Sequence, residues 1–127
     1  MADQPRNYHI RSKLWIEDDA GNVIFGLGRL RMLLAIDRCG SLNAAAKELK
    51  MSYRGLWGKI KATEEGLGAS LLHRKIGGDA GGGSQLTDLA RRLIDEFREM
   101  HALIIAETDK VYDETISRII DGGHRAV

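Results

Sequence analysis

Apolar residues change their spacing repeatedly along this chain, and each change marks a different element. Lys13-Leu14-Trp15-Ile16-Glu17 and Val23-Ile24-Phe25 are short β-prone runs on either side of the turn-forming Asp18-Asp19-Ala20-Gly21-Asn22. They predict a β-hairpin, with Trp15 and Phe25 in the core. Leu30, Leu33, Leu34 and Ile36 then form the broad apolar face of a helix starting near Leu27 and stopping at Gly40, a residue suited to the left-handed position after a helix. Ser41 can cap a short second helix with Leu42, Ala45 and Leu49 on one stripe, and Ala44 and Ala46 are small enough for close packing. Lys50-Met51 makes a tight connection, and Ser52 caps a third helix running from Tyr53 to about Glu65, ended by Gly66 and Gly68. Leu56, Ile60, Thr63 and Leu67 share one face of it, and Tyr53, Arg54, Trp57, Gly58 and Lys61 share the opposite one.

Residues 71–75 read as a strand, the glycine-rich residues 77–84 as a loop, and Gln85-Leu86 as the returning strand, which together make a β-wing. Thr87 can cap a long last helix in which Leu89, Leu93, Phe97, Met100, Ile104 and Val111 recur at helical spacing, to about Asp109 or beyond. So long a helix extends past a small domain, and its exposed stripe calls for a partner, most simply a second copy. The plan is mainly α: a flexible arm over residues 1–12 with the only proline, Pro5; a winged helix-turn-helix over 13–87; and a C-terminal dimerisation helix over 88–127.

Composition narrows the possibilities. The chain has 127 residues, 43% hydrophobic and 29% charged, which suits one compact domain plus an extended element. No apolar run approaches the ~20 residues of a membrane helix, and residues 1–11 are polar and lack a secretory signal, so a cytoplasmic protein is expected. The single cysteine, Cys39, has no partner for an internal disulfide or a metal site and reads as a buried structural thiol. The net charge of +1 is uninformative, but residues 47–75 carry seven bases against three acids, a local charge of +4.

Two short capped helices joined by a tight turn, the second with a polar and basic face, match the arrangement that places its second helix in the DNA major groove. Ser52 and the positive N-terminus of the third helix can meet a phosphate. Arg54 can pair with guanine O6 and N7, and Lys59 and Lys61 suit phosphates. Tyr53 points outward, whereas Trp57 lies between the two faces and suits either the core or a contact with the DNA backbone or a thymine methyl. The alternative is a winged-helix protein-interaction module with a solvated basic face. The glycine loop has P-loop spacing between Gly77 and Gly82, but Gly83 stands where the lysine should be and Asp79 would repel phosphate. Gly26-Leu27-Gly28 is half a dinucleotide fingerprint with Arg31 in place of the third glycine. His9, His73, His101 and His124 are scattered without metal-ligand spacing, so neither an enzyme nor a cofactor is expected.

Residues 40–49, with Ile60, Glu64, Leu67-Gly68, Leu71-Leu72, Arg74 and Leu86-Thr87, resemble the N-terminal winged helix of LysR-type regulators. Residues 52–57 and 77–87 are further similar to the DNA-binding domain of the molybdate-responsive ModE-type regulators. The resemblance covers about residues 27 to 105. It implies a dimer formed through the first and last helices on a palindromic operator. Ser52, Tyr53, Arg54, Trp57 and Lys61 would face double-stranded DNA, with Arg74, Lys75 and the glycine loop on the wing. It also implies control of molybdenum uptake or molybdoenzyme genes. Such regulators continue into molybdate-binding β-barrel domains, and with the sequence ending at Val127 the chain is expected to lack one and not to bind molybdate tightly.

Overall fold

The computed structural model describes residues 7–75 and 83–120. They fall into two compact units, Leu14–Phe97 and a second that joins the N-terminal segment to the chain from Arg98 onward. In the first unit, β1 (Trp15–Glu17) pairs antiparallel with β2 (Val23–Gly26). The turn between them is organised by Asp18, whose carboxylate accepts the N–H groups of Ala20 and Asn22 at 2.9 Å each and the Asn22 side-chain amide at 3.0 Å. The Asn22 side chain first, then the backbone bonds, hold the Asp18 carboxyl below its usual 3.8.

Helix α1 (Leu27–Cys39) follows directly and stops at Gly40, whose φ of 79° is left-handed and whose N–H donates to Ile36 O at 2.8 Å. Ser41 caps α2 (Leu42–Leu49) by accepting the Ala44 N–H at 3.1 Å, and Ser52 caps α3 (Tyr53–Leu67) by accepting the Gly55 N–H at 2.9 Å. Beyond α3, β3 (Leu72–Lys75) pairs antiparallel with β4 (Gly83–Leu86) as the wing. Its base is tied to the domain: the Ser84 N–H donates to Gly40 O at 3.0 Å, and the Thr87 N–H donates to Leu71 O at 2.9 Å. Thr87 also caps α4 (Asp88–Glu114), accepting the Ala90 N–H at 3.2 Å.

The core of this unit gathers Phe25 from the hairpin, Leu33, Ala35 and Ile36 from α1, Ala45 from α2, Leu56 and Ile60 from α3, and Leu71 before the wing. Phe97 of α4 meets Phe25 edge to face, with ring centroids 5.3 Å apart. In the second unit α4 gives way to a turn and to α5 (Ser117–Ile120). No helix among the described residues is long and apolar enough to cross a membrane.

The winged helix-turn-helix expected from the sequence is present, with local corrections. Trp15 is 52% exposed rather than in the core, because its indole N–H is held at the surface by Glu17 Oε2 at 2.6 Å. Cys39 is only half-buried, its sulfur 3.5 Å from Glu48 Oε1, while Arg38 forms an ion pair with the same carboxylate. Helix α3 runs through Gly66 to Leu67 and is capped by Gly68. A Cβ at residue 66 would lie 2.4 Å from Ile24 Cδ1, so that glycine marks close helix-to-hairpin packing, and Leu67 beyond it is exposed. On α4 the packed residues are Ala90, Ile94 and Phe97. Leu89 is exposed, since the small Ala90, silent in a hydropathy pattern, is what lets the helix approach the core.

Candidate nucleic-acid interface

Helix α3 presents an outward face because its other side is fully engaged. Leu56, Ile60 and Thr63 have no exposed surface. Thr63 does more than fill space: its hydroxyl donates to Ile24 O at 2.8 Å and accepts from Arg29 Nε at 3.0 Å, joining α3 to β2 and α1. Burial lowers the affinity of Arg29 for its proton, yet a guanidinium stays charged at any ordinary pH. Glu64 makes a third attachment, one of its carboxylate oxygens accepting the N–H of Leu71 at 2.7 Å and of Leu72 at 3.4 Å, where the wing begins. Hairpin, first helix and wing are thus each bonded to α3.

On the outward side, Ser52, Tyr53, Arg54 and Lys61 are exposed and Trp57 is half-buried. The Lys61 ammonium lies 5.2 Å from the centre of the Trp57 ring and 3.8 Å from Glu64 Oε1, so cation, ring and carboxylate form one ordered group. The ring therefore lies at the margin between core and surface, with a cation over it. Lys59 is also exposed but sits about 200° around the helix from Lys61, and it does not join the face of Arg54. Arg74 and Lys75 stand on β3, with Arg74 opposite Ser84 and Lys75 opposite Gly83. The loop tip, residues 76–82, lies outside the described residues.

Two residues gain weight only from the structure. Lys50, in the turn between α2 and α3, has φ 58°, and among the described residues no other non-glycine has positive φ. The absence of glycine or asparagine in so tight a connection was the available signal. For Glu64 the sequence offered only its place in the family resemblance and no sign of its partners, because its bonds reach seven and eight residues ahead, to where the chain returns.

This arrangement of a capped two-helix corner, an outward basic helix and a tied wing coincides with a family. Residues 27–91 match the model of the bacterial regulatory helix-turn-helix protein, lysR family. The chain belongs to the lysR family. The chain is 31% identical over 115 residues to the molybdenum transport protein ModE of Azotobacter vinelandii, covering 91% of this chain and 42% of that protein. It is 39% identical over 88 residues to the transcriptional regulator ModE of Haemophilus influenzae, covering 65% of this chain and 34% of that one. This lysR-family chain therefore spans less than half the length of these relatives. Among solved structures it is similar to full-length CbnR, a LysR family transcriptional regulator, complexed with its target DNA. The TM-score is 0.52 at 25% identity, over 68% of this chain and 28% of that one.

Proposed function

We propose that this chain is a sequence-specific transcriptional regulator that binds double-stranded DNA with α3 in the major groove and the β3–β4 wing against the adjoining backbone. The observation that carries the reading is the division of α3 into a face locked by Leu56, Ile60 and Thr63 and an outward face bearing Arg54 and Lys61. A recognition helix needs both, since base readout depends on side chains held to within fractions of an ångström by a rigid support. The similar CbnR structure, which holds its target DNA, supports the same partner.

In this reading Arg54 forms the base contact, paired with guanine. Ser52 remains near the helix N-terminus as a phosphate contact, its oxygen accepting the Gly55 N–H while its own proton is free to be donated outward. Tyr53, Trp57 and Lys61 line the groove beside it, and Arg74 and Lys75 serve the wing. Lys59, on another side of α3, is left out of the interface. The function is binding rather than catalysis, and its place is the cytoplasm.

The relatives named for molybdenum transport and for ModE support molybdenum-related genes as the regulated set. The long helix α4 supports a homodimer on a palindromic operator. In the second unit Leu103 is 64% exposed and Val111 49%, and Ile104 is exposed beside them, which leaves apolar surface for a second copy.

Selecting bound fragments from random genomic DNA tests the reading directly. A recurring palindromic sequence recovered upstream of genes for molybdenum uptake or molybdoenzymes is the expected result. Recovery of no sequence above random, at low salt and with folded protein, would overturn it in favour of a winged-helix interaction module.

A further inference from the structure

Glu64 stands at the junction of the two DNA-facing parts. Its side chain is only 13% exposed, an unusual place for an acid on the helix that is to approach a polyanion. One oxygen accepts the Leu71 and Leu72 N–H groups, and the other lies 3.8 Å from the Lys61 ammonium, which itself sits over Trp57. Leu71 is fully buried, so removing this acceptor takes away the protein partner of a buried N–H. The backbone of the same residue adds to the hold, Glu64 O accepting the Gly68 N–H at 2.8 Å and the Ala69 N–H at 3.2 Å. All four N–H groups lie between Gly68 and Leu72, where the chain leaves α3 and enters β3.

We infer that Glu64 is a positioning residue for DNA recognition: it fixes the start of the wing against α3 and holds Lys61 in place over Trp57, so that helix and wing meet the duplex in one fixed register. The inference rests on the DNA-binding reading above. Two features of the carboxylate are needed for two different tasks. Its reach satisfies the Leu71 N–H, and its charge pairs with Lys61. A hydrogen bond to a charged acceptor is stronger than one to a neutral acceptor, so the negative charge also strengthens the wing attachment. With Lys61 beside it, the charge is compensated before DNA arrives.

Three variants separate these tasks. Glu64→Asp keeps the charge and shortens the side chain by one methylene, Glu64→Gln keeps the reach and an acceptor oxygen without the charge, and Glu64→Ala removes both. In the free protein, amide exchange at Leu71 is expected to be about tenfold faster in Glu64→Asp and Glu64→Ala, and between these and wild type in Glu64→Gln, which keeps the bond and loses only what the charge adds to it. On the selected DNA fragment, hydroxyl-radical protection of the backbone at the wing is expected to weaken in Glu64→Asp and return in Glu64→Gln. Methylation protection of the guanine under α3 should persist in both. Glu64→Gln should also bind unrelated duplex DNA more tightly than wild type, since it removes a negative charge beside Lys61.

The idea is overturned if Glu64→Asp exchanges and footprints as wild type does, or if Glu64→Gln behaves no better than Glu64→Asp. Should Glu64→Ala fail to fold, the Asp and Gln pair still decides. A wild-type protein that protects no DNA would count against the regulator reading, whereas exchange at Leu71 would still test the hold of Glu64 on the wing.

Discussion

Lys50 occupies a left-handed backbone position that an L-residue other than asparagine or glycine enters at a cost of about 1–2 kcal/mol. Its side chain is exposed, one residue from Met51 and two from the cap of α3, so the charge lies at the N-terminal end of that helix, which the proposed interface turns towards phosphate. Lys50→Gly should therefore raise stability by about 0.5–1 kcal/mol, the relieved strain less the extra unfolded-state entropy of glycine. It should at the same time weaken binding to every DNA sequence alike. Urea melts and titrations at two salt concentrations check both halves, and a stability gain without loss of affinity would remove Lys50 from the interface. Arg54 and Lys61 differ in kind. Arg54→Ala should cost about 1–3 kcal/mol on the selected site and relax choice at one base pair, whereas Lys61→Ala should weaken all sequences together. Titration of site variants against both proteins separates them, and equal losses on specific and unrelated DNA for Arg54→Ala would end its role as the base reader. The outward residues of α3 were legible in the sequence because a capped helix fixes its own phase from Ser52 onward. Their surroundings were not, because the partners of Lys61 and Glu64 come from folded geometry, and a carboxylate that bonds Leu71 looks in sequence like any acid on a charged helix.

Helix α3 packs closely against the hairpin at Gly66. At Gly66 an added methyl would gain helix propensity of about 1 kcal/mol but would come within 2.4 Å of Ile24 Cδ1. The two effects oppose each other, and the second depends on one methyl group of the neighbour. Gly66→Ala should be neutral to destabilising by about 1–2 kcal/mol in the wild-type background. In an Ile24→Val background, which lacks Cδ1, it should become stabilising, a coupling of about 1 kcal/mol or more in a double-mutant cycle. Additive effects of the two substitutions would contradict the close approach. At the other end of the hairpin the Asp18 carboxyl is held below 3.8 by Asn22 and the turn amides. A carboxyl lowered in the folded state adds stability that is complete above its ordinary value and fades as pH falls through the lowered one. The amide resonances of Ala20 and Asn22 should accordingly shift and broaden only below about pH 4, and in Asp18→Ala they should show no such titration. Elements as such were readable from the chain, since each boundary carries its own chemistry: Gly40, Ser41, Ser52, Gly68 and Thr87 all cap as their side chains or their absence dictate. What escaped was the side of an element that packs. Trp15 looked apolar enough for the core, and Ala90 looked too small to lead α4 into it, because periodicity records hydropathy and not the room left by a neighbour.

At the scale of the whole molecule, the second unit carries exposed apolar surface. Leu103, Ile104, Val111, Ile116, Ile119 and Ile120 are all exposed there, within a stretch of eighteen residues, and isolated exposed apolar residues are common but a run of this density is not. Ile104 and Val111 are seven apart on α4, which places them on the same side of the helix for a parallel or antiparallel partner helix. In the proposed homodimer a second copy would bring an identical stripe and generate the two-fold symmetry that a palindromic operator requires, with half-sites about 34–36 Å apart or a multiple of that. Sedimentation at micromolar concentration should show two chains for the wild type and one for the double variant Ile104→Glu, Val111→Glu. Because both positions are exposed, the variant should keep the melting behaviour of the Leu14–Phe97 unit, monitored by tryptophan fluorescence, since Trp15 and Trp57 both lie in that unit. Its DNA binding then separates the levels of organisation. The affinity for an isolated half-site should be unchanged, since α3 and the wing are intact, whereas the advantage of the full palindrome over a half-site, of the order of 10²–10⁴ for two linked modules, should vanish. A wild-type protein that sediments as a monomer and binds half-sites and palindromes equally would refute the dimer while leaving α3 as the reading element.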